Sequence, residues 1–285
     1  MVSTPHRAAA LAVDTLCGVV GRRQAVRAAR FALRRARLDL PNSPYLNGEY
    51  ALQRWMLRTA APDQPFTAFD VGANIGEWSL ALLRQAAQAG RSEPPRIHAF
   101  EPAGATFAML CQRVPPEVRS NRLALSDDAG ERPMFIVGPG AGRNSLHPTD
   151  GLAAVTATER VATGTIDEYV RTAGVERIDL LKIDTEGHDF AVLSGAGGCL
   201  AAQRISVVQF EYNHRWVYPR RFLKDVFDLA QPHGYRVGKL TPRGVEGYPG
   251  WDPDLETFIE GNYVLCTEEA AERLPRVAWW KSGRR

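Results

Sequence analysis

A chain of 285 residues can bury one sizeable core, with or without a small appendage. With 45% apolar and 24% charged residues it has the composition of an ordinary globular protein, and a net charge of +3 is too small to argue for a nucleic-acid partner. Its apolar stretches fall short of a membrane span, and Cys17, Cys111, Cys199 and Cys266 show neither metal spacing nor a disulfide framework, so they read as reduced thiols of a cytoplasmic protein.

Residues 8–20 loosely resemble a secretory leader, but Asp14 interrupts them and Arg22 and Arg23 follow, which argues against that reading. Residues 7–37 read instead as one helix with a basic face, formed by Arg7, Arg22, Arg23, Arg27, Arg30, Arg34, Arg35 and Arg37. Such an arm, assigned to residues 1–50, can lie on the catalytic domain or on a second copy in a homodimer. It can also dock on an acidic partner or an anionic membrane surface. Leu40–Pro44 is a break, and Tyr50–Leu57 is a short lead-in helix.

The run Phe66–Val71 is a strand that ends in Asp70 and passes into Gly72-Ala73-Asn74-Ile75-Gly76. A helical pattern with Trp78, Leu80, Leu82 and Leu83 follows at once. Strand, glycine turn and helix form the standard cradle for a nucleotide-like ligand. Gly72 permits close approach of the backbone, and Gly76 opens the helix. A phosphate would be repelled by Asp70 and an ammonium welcomed, which favours S-adenosylmethionine over a dinucleotide.

The chain then alternates: strand at 97–100, helix at 103–113, strand at 122–125. Residues 127–164 read as irregular, with a short strand at 134–137. A helix at 165–172, capped by Thr165, is followed by a strand at 178–183, a helix at 190–200, a strand at 205–210 and a helix at 220–231. Two last strands at 235–240 and 263–266 flank an insert. This alternation implies a doubly wound, mostly parallel sheet over residues 51–270, with ligands at the carboxyl ends of its strands and a tail at 271–285.

Chemistry-bearing residues stand at those strand ends. Glu101 can accept both hydroxyls of a ribose, because a carboxylate has two oxygens. Ser126 and Asp127 follow the next strand, where an acid can take an adenine amino group or serve only as a turn carboxylate. Asp184, Glu186, His188 and Asp189 crowd beyond strand 178–183, more acids than helix capping needs, and Lys182 lies inside that strand facing the cleft or a carboxylate. Glu211 and His214 follow strand 205–210 at the same edge.

The blocks Asp70-x-Gly72-x-Asn74-x-Gly76, Phe100-Glu101-Pro102, Asn121–Ser126, Leu181–Asp189 and Val192–Ala196 resemble the FkbM family of S-adenosylmethionine-dependent methyltransferases over residues 66–240. Thr185 stands where that pattern usually has an aliphatic residue. The resemblance implies a class I methyltransferase fold, a seven-stranded Rossmann-like sheet in order 3-2-1-4-5-7-6. It also implies methyl transfer to a hydroxyl of a sugar, polyketide or other secondary metabolite. By position it implies that Asp70, Gly72, Asn74 and Gly76 hold the methionine end and Glu101 the ribose.

An alcohol must lose its proton as it attacks. His188 is the first choice of base, because its ordinary pKa lies near neutrality, and His214 the second. Asp184 with Glu186 can instead bind Mg2+, although no metal site is assigned. Tyr248, Trp251 and Phe258 in the insert form either an aromatic lid over the acceptor or anchors for a surface excursion. Two rival readings are a non-catalytic cofactor-binding adaptor and a nicotinamide-dependent oxidoreductase. The second is opposed by Asp70 and by the lack of a Gly-x-Gly-x-x-Gly run. An acceptor base in nucleic acid is opposed by the absence of an Asn/Asp-Pro-Pro-aromatic corner.

Overall fold

The computed structural model describes residues 4–61, 63–148 and 154–282. The ends of the expected arm and tail, and residues 149–153 of the expected irregular stretch, lie outside them. The chain divides into two compact units, Met1–Pro41 and Asn42–Arg285.

In the first unit the single helix expected over 7–37 is two helices, α1 (Thr4–Val20) and α2 (Arg22–Ala36). Gly21 separates them at φ +82°, ψ 139°, a backbone conformation open essentially to glycine alone.

The second unit begins with α3 (Glu49–Thr59), which leads into β1 (Thr67–Val71), α4 (Glu77–Gln88), β2 (Arg96–Phe100), α5 (Gly104–Arg113) and β3 (Val118–Asn121). Next come β4 (Ala124–Leu125), β5 (Gly130–Ile136), β6 (Ala157–Gly164), α6 (Ile166–Ala173) and β7 (Ile178–Ile183). After these lie α7 (Asp189–Ser194), α8 (Gly197–Ala201), β8 (Ile205–Tyr212), α9 (Leu223–Ala230) and β9 (Arg236–Thr241). The chain closes with β10 (Gly244–Tyr248), β11 (Gly261–Cys266), α10 (Glu268–Arg273) and β12 (Arg276–Val277).

The main sheet has nine strands in the order β12-β10-β9-β11-β8-β7-β1-β2-β3. The seven strands from β3 to β9 keep the expected order 3-2-1-4-5-7-6, and the seventh, β11, runs antiparallel to both neighbours. The expected count of seven is corrected to nine. The insert forms β10, a hairpin partner of β9, and the tail supplies β12, which pairs with β10.

Successive residues of each central strand point to opposite faces, as the two-residue period requires. Ala68, Leu180, Val207 and Val264 pack beneath α3, α4 and α5, while Phe69, Leu181, Val208 and Leu265 pack against α6 to α9. Both faces are therefore buried, and strands such as β8 are apolar along most of their length.

Three local readings change. The strand expected at 122–125 is β3, earlier in the chain, plus β4 in a separate sheet of order β4-β6-β5. The stretch expected to be irregular contains the antiparallel pair β5 and β6. The helix expected over 190–200 breaks at Gly195, where a Cβ would lie 1.9 Å from the Ser126 carbonyl oxygen. The insert is anchored by its rings. Tyr248 packs edge-on against Trp279, Phe258 packs on Tyr212, and Trp251 donates its indole N–H to Glu256.

Candidate active site

The carboxyl ends of β1, β2 and β7 are tied into one floor. The Gly72 and Ala73 amides both donate to the Phe100 carbonyl, and the Asp184 amide donates to the Val71 carbonyl. Gly72 has φ +77°, and a Cβ there would lie 1.9 Å from the Asp184 carbonyl oxygen. Only glycine fits. Above this floor opens a cleft of about 700 Å³, counting the part open to solvent. Gly72, Asn74, Glu101, Asp184, Glu186 and His188 line it, so the structure brings together six of the residues singled out from sequence.

Glu101 sits at the centre of the cleft wall. Its Oε2 accepts from the Asn74 amide at 3.1 Å and its Oε1 from the Ala103 amide at 2.9 Å. Burial pushes its pKa up to about 7, against the pull of those two N–H groups. Each carboxylate oxygen keeps a lone pair for a further donor. The Asn74 Oδ1 and Thr185 Oγ1 atoms are buried without a partner.

Asp70 does not line the cleft. It is fully buried, accepts from Ser79 Oγ at 2.7 Å, and lies 3.5 Å from Lys182 Nζ. Lys182 also reaches Asp184 at 3.3 Å. Burial opposes the Lys182 charge, but the Asp184 and Asp70 carboxylates outweigh it and hold the ammonium firmly charged. Gly76, at φ +82°, closes the turn behind the cleft against Val114 and Leu110.

His188, the first choice of base, lines the cleft and is engaged on both ring nitrogens. It is 2% exposed, its Nε2 lies 2.9 Å from Ser126 Oγ, and its Nδ1 lies 3.0 Å from His147 Nε2. The hydroxyl proton of Ser126 goes to Asp127 Oδ1, so His188 Nε2 donates to Ser126 and Nδ1 accepts from His147. Both ring nitrogens are occupied. Burial, with His147 and Arg132 nearby, pushes the His188 pKa down to about 3. The ring bridges Ser126 and His147 in the wall of the cleft. Ser126 lies behind it, and Asp127 turns toward Arg132 at 3.0 Å, so neither lines the cleft. His214, the second choice of base, is exposed on the 3-10 turn after β8 and is also outside the lining.

Glu186 is the acid left facing the cleft with an altered proton affinity. Its backbone takes a left-handed φ of +57°, unusual outside glycine. An ion pair of 2.7 Å joins it to Arg215. Burial and the Asp184 charge push its pKa up to about 8, with Arg215 pulling it down. Asp189, fully buried beside it, is pushed up to about 7 by burial and Asp184, and burial raises Glu211 well above the usual range. Asp184 is thus paired with Lys182 and Glu186 with Arg215. Among the described residues no group of three or more acids, histidines or cysteines is placed to hold a metal ion.

Sequence reasoning missed Arg215, His147 and the loop that carries His147. Ala141, Gly142 and Asn144–Leu146 of that loop line the cleft. Ser145 Oγ donates to the Glu186 carbonyl, Asn74 Nδ2 to the Gly140 carbonyl, and the Gly140 amide to Thr106 Oγ1. Arg215 stands two residues past the Asn213 cap, one arginine among many, with no local pattern to mark it.

A family model described as the methyltransferase FkbM domain matches residues 70–237. The chain is 29% identical over 182 residues to the hexuronic acid methyltransferase AglP of Haloferax volcanii, covering 63% of this chain and 68% of that protein. It is 29% identical to methyltransferase sdnD of Sordaria araneosa, covering 47% and 61% respectively. It is also 29% identical to the 31-O-demethyl-FK506 methyltransferase FkbM of Streptomyces tacrolimicus, covering 56% and 71%. The chain thus spans about two thirds of the length of these curated relatives, and it belongs to the FkbM methyltransferase family.

Proposed function

We propose that this FkbM-family methyltransferase uses S-adenosylmethionine to methylate a hydroxyl group of a small molecule, a sugar acid or polyketide-like metabolite. The observation that carries the reading is the pairing, across one cleft, of Glu101 on the β2 side with Glu186 on the β7 side. Glu101 is the ribose acceptor, and Gly72 gives the cofactor's close backbone approach. The partnerless Asn74 Oδ1 and Thr185 Oγ1 are polar atoms that a ligand would satisfy. Asp70 acts from below, through Lys182 and Asp184, rather than by touching the ligand. When bound, the cofactor supplies an electrophilic methyl group.

Glu186 takes the acceptor's hydroxyl proton on its carboxylate. A base whose pKa lies near the working pH combines a useful ionised fraction with a strong pull on the proton. Arg215 keeps that carboxylate in place before and after it is protonated. The loop carrying Ser145 and His147 helps to exclude water from the cleft. The names of the relatives support the acceptor class, since one acts on a hexuronic acid and another at a 31-O position.

Calorimetric titration with S-adenosylmethionine, with NAD as control, tests the cofactor, and Glu101→Ala should lose binding. S-adenosylhomocysteine formation with uronic acid glycosides and hydroxylated macrolides tests the acceptor. Tight cofactor binding with no turnover on any hydroxyl acceptor would favour the adaptor reading. Binding of NAD in place of S-adenosylmethionine would overturn the cofactor assignment.

A further inference from the structure

The first unit holds a feature that methyl transfer does not use. Helix α2 carries six arginines and no acid. Arg23, Arg27, Arg30 and Arg34 recur at i, i+4, i+7 and i+11, which places them in one stripe along the helix. Val26, Ala29 and Leu33 form a neighbouring apolar stripe, Phe31 flanks the arginines on their other side, and Val26, Phe31 and Leu33 are exposed. Helix α1 exposes Leu11, Val13, Leu16, Val19 and Val20, with Arg7 and Asp14 its only charged residues. Scattered apolar residues on a surface need no explanation, but eight of them on two helices that share one cationic stripe do. No helix among the described residues is long and apolar enough to cross a membrane.

We infer that α1 and α2 form an interfacial anchor that lays this enzyme on an anionic membrane surface. The Arg23–Arg34 stripe would meet the phosphate headgroups, and the exposed apolar side chains would enter the acyl boundary. The two kinds of side chain act as the two signals that stable peripheral attachment requires. Charge complementarity selects this occupant. A second copy docked through α2 would set six arginines against six, a like-charge contact that disfavours association. A nucleic acid would satisfy the arginines and leave Leu16, Val19 and Val20 in water. Gly21 supplies the corner, and no heavy atom lies within 4 Å of its Cβ direction, so its backbone conformation rather than packing demands glycine there. The corner lets α1 and α2 lie in one interfacial plane.

Near an anionic surface each arginine strengthens partitioning about fivefold, so the stripe of four should supply on the order of several hundredfold. The test is sedimentation of the full chain with sucrose-loaded vesicles, of phosphatidylcholine alone or with about 30% phosphatidylglycerol. Binding should favour the anionic vesicles by several hundredfold and weaken steeply as salt rises. Replacing Arg23, Arg27, Arg30 and Arg34 together by Gln should remove that preference, and replacing them by Lys should keep it. Phe31→Ser with Leu33→Ser should weaken binding about tenfold with the charge unchanged. Equal partitioning to both vesicles, or none, would overturn the anchor. So would a dimer that dissociates in the Gln variant without vesicle binding, or DNA retention that the Ser variant leaves untouched.

Discussion

Replacing Glu186 by Gln tests the electrostatics of the cleft most directly. The carboxyl is held at about 8 in the fold, against its usual 4.5. That displacement corresponds to about 5 kcal/mol, at roughly 1.4 kcal/mol for each tenfold change in proton affinity. The sign follows from the direction of the shift. The fold favours the neutral acid, so the native state is unburdened below pH 4.5 and loses stability as pH rises from there through 8. The amide of the Glu186→Gln variant would never ionise and would escape that loss. The attraction of Arg215 is already contained in that raised proton affinity, and below pH 8 Arg215 faces a mostly neutral acid in the wild type as well.

The variant should therefore match the wild type at pH 5 and exceed it by about 3–5 kcal/mol near pH 9. In a domain of this size that is a melting-point gain of roughly 6–20 °C. Urea unfolding followed by tryptophan fluorescence across this range gives the difference directly. The same substitution should lower kcat/KM by about a hundredfold or more and remove the limb of the pH profile near 8. A stability difference that stays flat with pH, or that turns against the variant as pH rises, would refute the reasoning.

Gly72→Ala should abolish cofactor binding and lower the melting temperature, because its Cβ meets the Asp184 carbonyl oxygen at 1.9 Å and the residue needs φ +77°; near-normal affinity by calorimetry would contradict this. Cofactor affinity should rise about tenfold between pH 6 and pH 8 as Glu101 ionises through about 7, and Glu101→Gln should bind weakly with no such rise. His188→Ala should destabilise the fold by about 2–4 kcal/mol, since it opens a cavity and strands Ser126 and His147. Its kcat should stay within about threefold, and a loss of hundreds-fold with unchanged stability would restore His188 as the base.

The parts of this protein that local chemistry encodes could be read before the structure was known. Gly72 and Gly76 sit at positive φ, a demand of the turn itself, and Thr165 caps α6 by accepting from the Glu168 amide. The strand–helix alternation and the glycine turn are properties of short windows. What escaped reading depends on contacts across long separations. His147 meets His188 from 41 residues away, and nothing in its own neighbourhood marks it. Glu186 and His188 looked alike as cleft residues, and only burial and partner count divide them into a loaded acid and a saturated bridge. β12 is two residues long and exists because β10 offers it an edge. Gly21 was visible, yet a lone glycine in a helical pattern does not announce a corner.

The position of β11 bears on how far the molecule can be cut. It is made after β9 and β10, yet it lies between β8 and β9 and forms the hydrogen-bonded bridge between them. A nascent chain ending before Gly261 would already contain every cleft residue. It would still show the open edge of β8, eight consecutive buried residues, to any other copy. The stretch 70–237 that matches the family is thus not an autonomous folding unit. Trimming to it should give an aggregating fragment, and the polypeptide beyond residue 237 works as the clamp that keeps the rest from associating.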